Sequence, residues 1–212
     1  MDHPFSIHID AWPNGMPIPT KFAFGQPGTN GPFAPSENLN PSVKWSHPPE
    51  GTKSFAIICH DPDVPSSGED VNQEGKIVPE NLARVPFFHW VLVDIDLNSS
   101  GIGQGSASQG ITARGKSAGQ TEFGIQGMND YTGWFAGDSD MEGVYCGYDG
   151  PCPPWNDSII HHYHFEVFAL DILTLNLHGE FSGKEALQAM ENHILGRASH
   201  MGTYSMNPAV KA

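Results

Sequence analysis

The chain has 212 residues with 24 acidic and 10 basic side chains, a formal net charge of -14 that opposes nucleic acid and anionic membrane surfaces before any contact forms. Hydrophobic residues at 38% and aromatic residues at 10% supply enough apolar surface to fold, while 24 glycines and 18 prolines favour turns over long helices. Cys59, Cys146 and Cys152 are odd in number and lack C-x-x-C spacing, which argues against a disulfide framework and for a reducing compartment. No run approaches the about 20 apolar residues of a membrane span. Met1-Asp2-His3-Pro4-Phe5 lacks the basic and apolar regions of a secretory leader. The expectation is one cytoplasmic domain over 1–212, not a membrane protein.

In chain order, residues 5–10 alternate apolar and polar, as in a strand with one wet face. Prolines, glycines and asparagines then recur to residue 50, with short strands expected around Phe22 and Val43. Apolar runs predict strands at 54–59 and 87–94. The connection at 66–85 is long for a hairpin and is a candidate functional loop. More than half of the glycines fall between 101 and 150, so 101–147 is a second candidate for a mobile loop. The clearest strand spans 162–172. A helix is expected over 182–196, with Ser182 and Glu185 as a capping box, an apolar stripe of Leu187, Met190 and Ile194, and Gly196 as its left-handed stop. Many strands and one late helix predict a mainly β fold, an antiparallel β-sandwich or barrel with a peripheral helix.

The strand at 54–59 runs straight into His60, Asp61, Pro62, Asp63, Val64 and Pro65, an apolar strand that aims carboxylates off its end. Alternation along 161–167 places His161 and Tyr163 on one face, with Phe165 and Val167, and His162 and His164 on the other. By the same rule His89 shares its face with Val91 and Val93. Each strand thus offers a polar group at the rim and hydrophobes behind it, the profile of a shallow pocket over a core. Pro151, Pro153 and Pro154 stiffen the chain just before His161, and Gly150 allows close backbone approach.

Asp61-Pro62-Asp63-Val64-Pro65, Phe87-Phe88-His89-Trp90-Val91, and Gly150-Pro151-Cys152-Pro153-Pro154 followed by His161-His162-Tyr163 together resemble the phosphatidylethanolamine-binding protein family, and within it the bacterial Raf-kinase-inhibitor-like branch. The resemblance covers about residues 5–204. It implies a two-sheet antiparallel β-sandwich with peripheral helices and a small pocket for phosphate or phosphoryl headgroups. It places Asp61, Asp63 and Pro65 on one side of that pocket, His89 at its floor, and Gly150, Pro151, His161 and Tyr163 on the other. It also implies a regulatory, kinase-inhibitor-like binding role, a protein partner and a homodimer. Two departures stand out: His162 occupies a position where the family often has arginine, and the spacer from Trp155 to His161 is longer than the pattern expects.

Two carboxylates repel phosphate, so an anion site here needs donors. Protonated His89 or His161, the Tyr163 hydroxyl and loop N–H groups would supply them, with binding strengthening as pH falls through the histidine range near ~6.5. The alternative reading is a hydrolase acting on phosphoesters or esters by general base catalysis from the same pocket. Neither a catalytic nucleophile nor a cofactor is expected. Zinc is disfavoured because alternation splits His161, His162 and His164 across two faces. Gly115-Lys116-Ser117-Ala118-Gly119 matches the nucleophile-elbow pattern without the flanking strand and helix that the pattern requires.

Overall fold

The computed structural model describes residues 3–210; Met1, Asp2, Lys211 and Ala212, and with them the first two residues of the N-terminal reading, lie outside the described residues. Among the described residues twelve strands run in chain order: β1 (Ser6–His8), β2 (Met16–Pro17), β3 (Gly25–Gln26), β4 (Ala34–Pro35), β5 (Val43–Ser46), β6 (Ser54–Pro65), β7 (Arg84–Asp96), β8 (Gly101–Ile102), β9 (Gly119–Gln120), β10 (Ile125–Gln126), β11 (His161–Leu170) and β12 (Ile194–Tyr204). Two helices join them, α1 (Tyr131–Trp134) and α2 (Gly183–Met190). A seven-stranded sheet has the order β2-β12-β11-β6-β7-β10-β9, faced by the three-stranded sheet β1-β5-β8. Pairing is antiparallel throughout except for β2 on β12.

Both faces of the large sheet are buried. Phe55, Ile57, Leu92, Phe165 and Val167 meet Val43 and Trp45 of β5 in the main core. Ala56, Ile58, Val91, Val93, Phe168 and Leu170 on the other face are covered by Phe181 and by Ala186 and Met190 of α2. Burial on both sides explains why β6, β7 and β11 read as continuous apolar runs, each large side chain contributing about 1.5–3 kcal/mol relative to exposure. The expected mainly β sandwich with a peripheral helix is the architecture found.

Four local expectations need correction. The helix stops at Met190: Ser182 and Glu185 form the expected capping box, but Ile194 and Gly196 belong to β12 and pair with Leu170 and Ala169. A Cβ at residue 196 would lie 2.7 Å from Pro49, so glycine serves close strand packing there, not a left-handed stop. Phe22 lies in a single 3-10 turn, Thr20–Phe22, and not in a strand. The strand expected to end at Cys59 continues to Pro65, with register shifts that accommodate the prolines. Finally, His89 does not face the same side as Val91 and Val93. Pairing passes from Cys59 with Trp90 to His60 with Phe88, leaving His89 as the extra residue of a bulge. Phe87 and His89 then lie beside Trp90 and Leu92 on the main-core side, while Phe88 joins Val91 on the other.

Candidate functional site

Where β6, β7 and β11 lie side by side, an open cavity of about 520 Å³ sits over the end of the main core. Asp61, Val64 and Pro65 of β6, Phe87 and His89 of β7, and Tyr163 of β11 line its base. Cys152, Pro153 and Pro154 form one wall, Gly68 and Val71 another, and Met128 to Trp134 a third. Trp134 remains half exposed at the margin. The size falls within the range of small-molecule pockets, and the lining is largely apolar with a few convergent polar groups.

The polar base is built on a buried charge relay. His161 is wholly buried, with Nδ1 2.6 Å from Oδ2 of Asp61 and Nε2 3.0 Å from Oδ2 of Asp157. Burial pulls the imidazole down, but hydrogen bonds to the Asp157 and Asp61 carboxylates outweigh it and push the ring up to about 9. At neutral pH His161 is therefore an imidazolium donating from both nitrogens. Asp157 also accepts a bidentate pair from Arg84, at 2.6 and 3.0 Å. Burial raises the Asp157 carboxyl, yet His161 and Arg84 hold it below its ordinary value. The second oxygen of Asp61 accepts the backbone N–H of Asp63 at 2.8 Å, a turn closed across Pro62. This carboxylate, inside β6, is thus locked by groups 2 and 100 residues away.

His89 is the other imidazole of the base. Its Nδ1 lies 2.8 Å from the Asp149 carbonyl and donates to it, leaving Nε2 without a protein partner among the described residues. The ring is set edge-on to Tyr163 at 5.1 Å and to Tyr131 at 5.6 Å. Burial lowers its pKa despite the nearby Asp61 charge and the Asp149 carbonyl bond, so His89 is neutral at neutral pH. Asp149 behind it is buried and receives Asn38, Lys116 and Asn129 at 2.8–2.9 Å. The buried Tyr163 hydroxyl has no hydrogen-bond partner among the described residues, and burial first, then the Asp61 charge, raise its phenol well above the usual value.

The expected site residues divide accordingly. Asp61, Pro65, His89 and Tyr163 share the cavity. His161 lies behind Asp61 with both nitrogens engaged, which leaves it no free donor for a ligand. Asp63 turns outward to His162, whose N–H and Nδ1 lie 2.9 and 2.7 Å from one carboxylate oxygen. His162 therefore holds the acidic loop through Asp63. Gly150 and Pro151 brace the wall from behind. A Cβ on Gly150 would lie 2.0 Å from the Phe22 carbonyl, and the Pro151 carbonyl accepts from Phe24 and Gly25. Asp157, Arg84, Asp149 and Tyr131 escaped the sequence reading; the only cues were an acid four residues before His161 and a lone arginine opening a strand.

The lining contains no lysine or arginine, because Lys116 is spent on Asp149 and Arg84 on Asp157. It does contain Asp130, whose carboxyl is raised by burial against a bond from the Phe88 N–H. The base is thus rich in acceptors, and its one switchable donor is His89. Cys152 is no ready nucleophile, since burial pushes its thiol up to about 12. Among the described residues no helix is long and apolar enough to cross a membrane.

A profile of the family described as "Phosphatidylethanolamine-binding protein" matches residues 8–205. A "UPF0098 protein" of Methanothermobacter thermautotrophicus is 33% identical over 168 residues, covering 79% of this chain and 83% of the relative. "UPF0098 protein YbhB" of Escherichia coli is 27% identical, covering 91% and 94%. The crystal structure of Escherichia coli YbcL, described as a new member of the mammalian PEBP family, superposes with a TM-score of 0.67 at 25% identity over 96% of this chain and 99% of that one.

Proposed function

This chain belongs to the phosphatidylethanolamine-binding protein family, and on that premise we propose that the cavity binds a small phosphoryl-headed molecule rather than turning one over. The observation that carries the reading is His89: one nitrogen is fixed on a backbone carbonyl and the other is left unpartnered at the cavity base beside Asp61. When neutral, that nitrogen accepts a proton-bearing ligand group, a P–OH or an ammonium. When protonated, it donates to a phosphoryl oxygen with the strength of a charge-assisted bond. Asp61 and Asp130 disfavour a fully ionised phosphate, so a monoanionic or zwitterionic headgroup fits best. A bare phosphate leaves most of the cavity empty, and the apolar walls at Val64, Val71 and Trp134 suit an attached organic group.

Hydrolysis has less support. His161 is protonated and doubly engaged and Cys152 is held as a thiol, which leaves His89, neutral and with Nε2 free, as the histidine that a general-base reading would use. A regulatory, kinase-inhibitor-like role would use the same chemistry on a phosphorylated side chain of a partner. Calorimetric titration with phosphorylethanolamine, inorganic phosphate and a phosphoserine peptide tests the reading. Saturable binding of phosphorylethanolamine, lost in His89→Ala, is expected. Binding unchanged in that variant, or turnover of a phosphomonoester that depends on His89, contradicts it.

A further inference from the structure

The longer spacer before His161 carries a buried amide that organises a distant part of the cavity. Residues 66–83, between β6 and β7, contain no strand among the described residues, yet Gly68 and Val71 form one wall. Asn156 is buried, and its side chain serves that loop from inside. Its Nδ2 donates to the carbonyls of Asp70 at 2.8 Å and Lys76 at 3.1 Å, with a longer contact to Gln73, and its Oδ1 accepts the N–H of Asn72 at 2.9 Å. Asn72 answers by accepting the N–H of Trp155 at 3.0 Å, from a backbone with φ of 57° that asparagine and glycine tolerate best. One amide thus closes several polar groups of 70–76, a stretch without strand pairing among the described residues, the service a strand would otherwise provide.

The neighbours of Asn156 extend the attachment in both directions. Pro153 and Pro154 are cavity wall, so loop and wall are tied together within a few residues. Val78 donates to the Asn156 carbonyl and accepts from Ser158, and Arg84 joins Pro79 to Asp157. Through Asp157 and His161 the same stretch reaches Asp61.

We propose that Asn156 is the positioning residue that holds 68–76 in place as a wall of the cavity, so that ligand retention depends on a side chain that does not line it. The inference deepens the binding reading and rests on it only for its ligand arm.

Asn156→Asp keeps the shape and the acceptor but removes the donors, and Asn72→Gly is the milder variant that keeps the backbone conformation. Amide hydrogen exchange is expected to accelerate about ten-fold or more across 68–78 in Asn156→Asp, and less in Asn72→Gly, with β6 and β11 unchanged. Phosphorylethanolamine is expected to dissociate about ten-fold faster from Asn156→Asp. Unchanged exchange across 68–78 in both variants overturns the proposal, as does faster exchange with unaltered dissociation. Should the unaltered protein not bind phosphorylethanolamine, the ligand reading falls and the exchange result alone decides whether Asn156 holds the wall.

Discussion

The Nδ1 of His161 lies 2.6 Å from Oδ2 of Asp61, two residues 100 apart in the chain and both almost wholly buried. With Asp157 on its other nitrogen, the imidazole is stabilised as a cation inside the protein.

Stability should therefore fall on the alkaline side. His161 titrates near an ordinary 6.5 when unfolded and at about 9 when folded, so its contribution is complete below 6.5 and lost as pH rises through 9. The loss is on the order of 3 kcal/mol. His60, lowered by burial to about 4, and His89, lowered likewise, act in the opposite sense and weaken the fold as pH drops below 6.5. Urea unfolding at a series of pH values should show a maximum near neutrality. A flat profile between pH 6.5 and 9 would show that His161 is not charged in the folded protein.

Removing His161 strands two carboxylates in the core. His161→Ala is expected to cost about 3–5 kcal/mol, the penalty for breaking a buried ion pair. His162→Ala, which removes the partly exposed pair with Asp63, should cost under about 1 kcal/mol. Denaturant midpoints of the two variants compare them directly; equal losses would mean that the buried relay is not the stronger tie.

Much of this fold was legible because burial on both faces writes itself as apolar runs, as in 54–59 and 162–172. β12 was not legible: burial alternates from Gly196 to His200, but the inward positions hold Gly196, Ala198 and His200, too small or too polar to mark an apolar face. The convergence of Asp61, His89 and Tyr163 was readable from motif order, but the facing of His89 was not. One bulge reverses the alternation of β7, and nothing in the residue pattern marks it. The links of His161 to Asp157 and of Asp157 to Arg84 stayed hidden because charge pairing across distant segments leaves no periodic trace.

Tyr163→Phe removes a buried hydroxyl that has no partner. Deleting an unsatisfied polar group should leave stability unchanged or raise it by up to about 1 kcal/mol. Thermal melts of the variant test this, and a clear destabilisation would mean that the hydroxyl is bonded in solution, with Asp61 as the acceptor in reach.

His89 moves the pH window of binding. The sequence expectation placed strengthening near ~6.5. Because burial lowers the His89 pKa, affinity for a phosphoryl ligand should instead rise below that value. His161 is already charged and should contribute no step there. Dissociation constants measured from pH 8 to pH 5 with phosphorylethanolamine give the curve, and a transition centred above 6.5 would assign it to another group.

The most direct measurement is the titration of phosphorylethanolamine into the unaltered protein and His89→Ala at pH 5.5 and 7.5. Saturable binding is expected, tighter at the lower pH by about ten-fold, with both the binding and its pH dependence lost in the variant. Equal affinity in the two proteins at both pH values would place the ligand elsewhere and contradict the account.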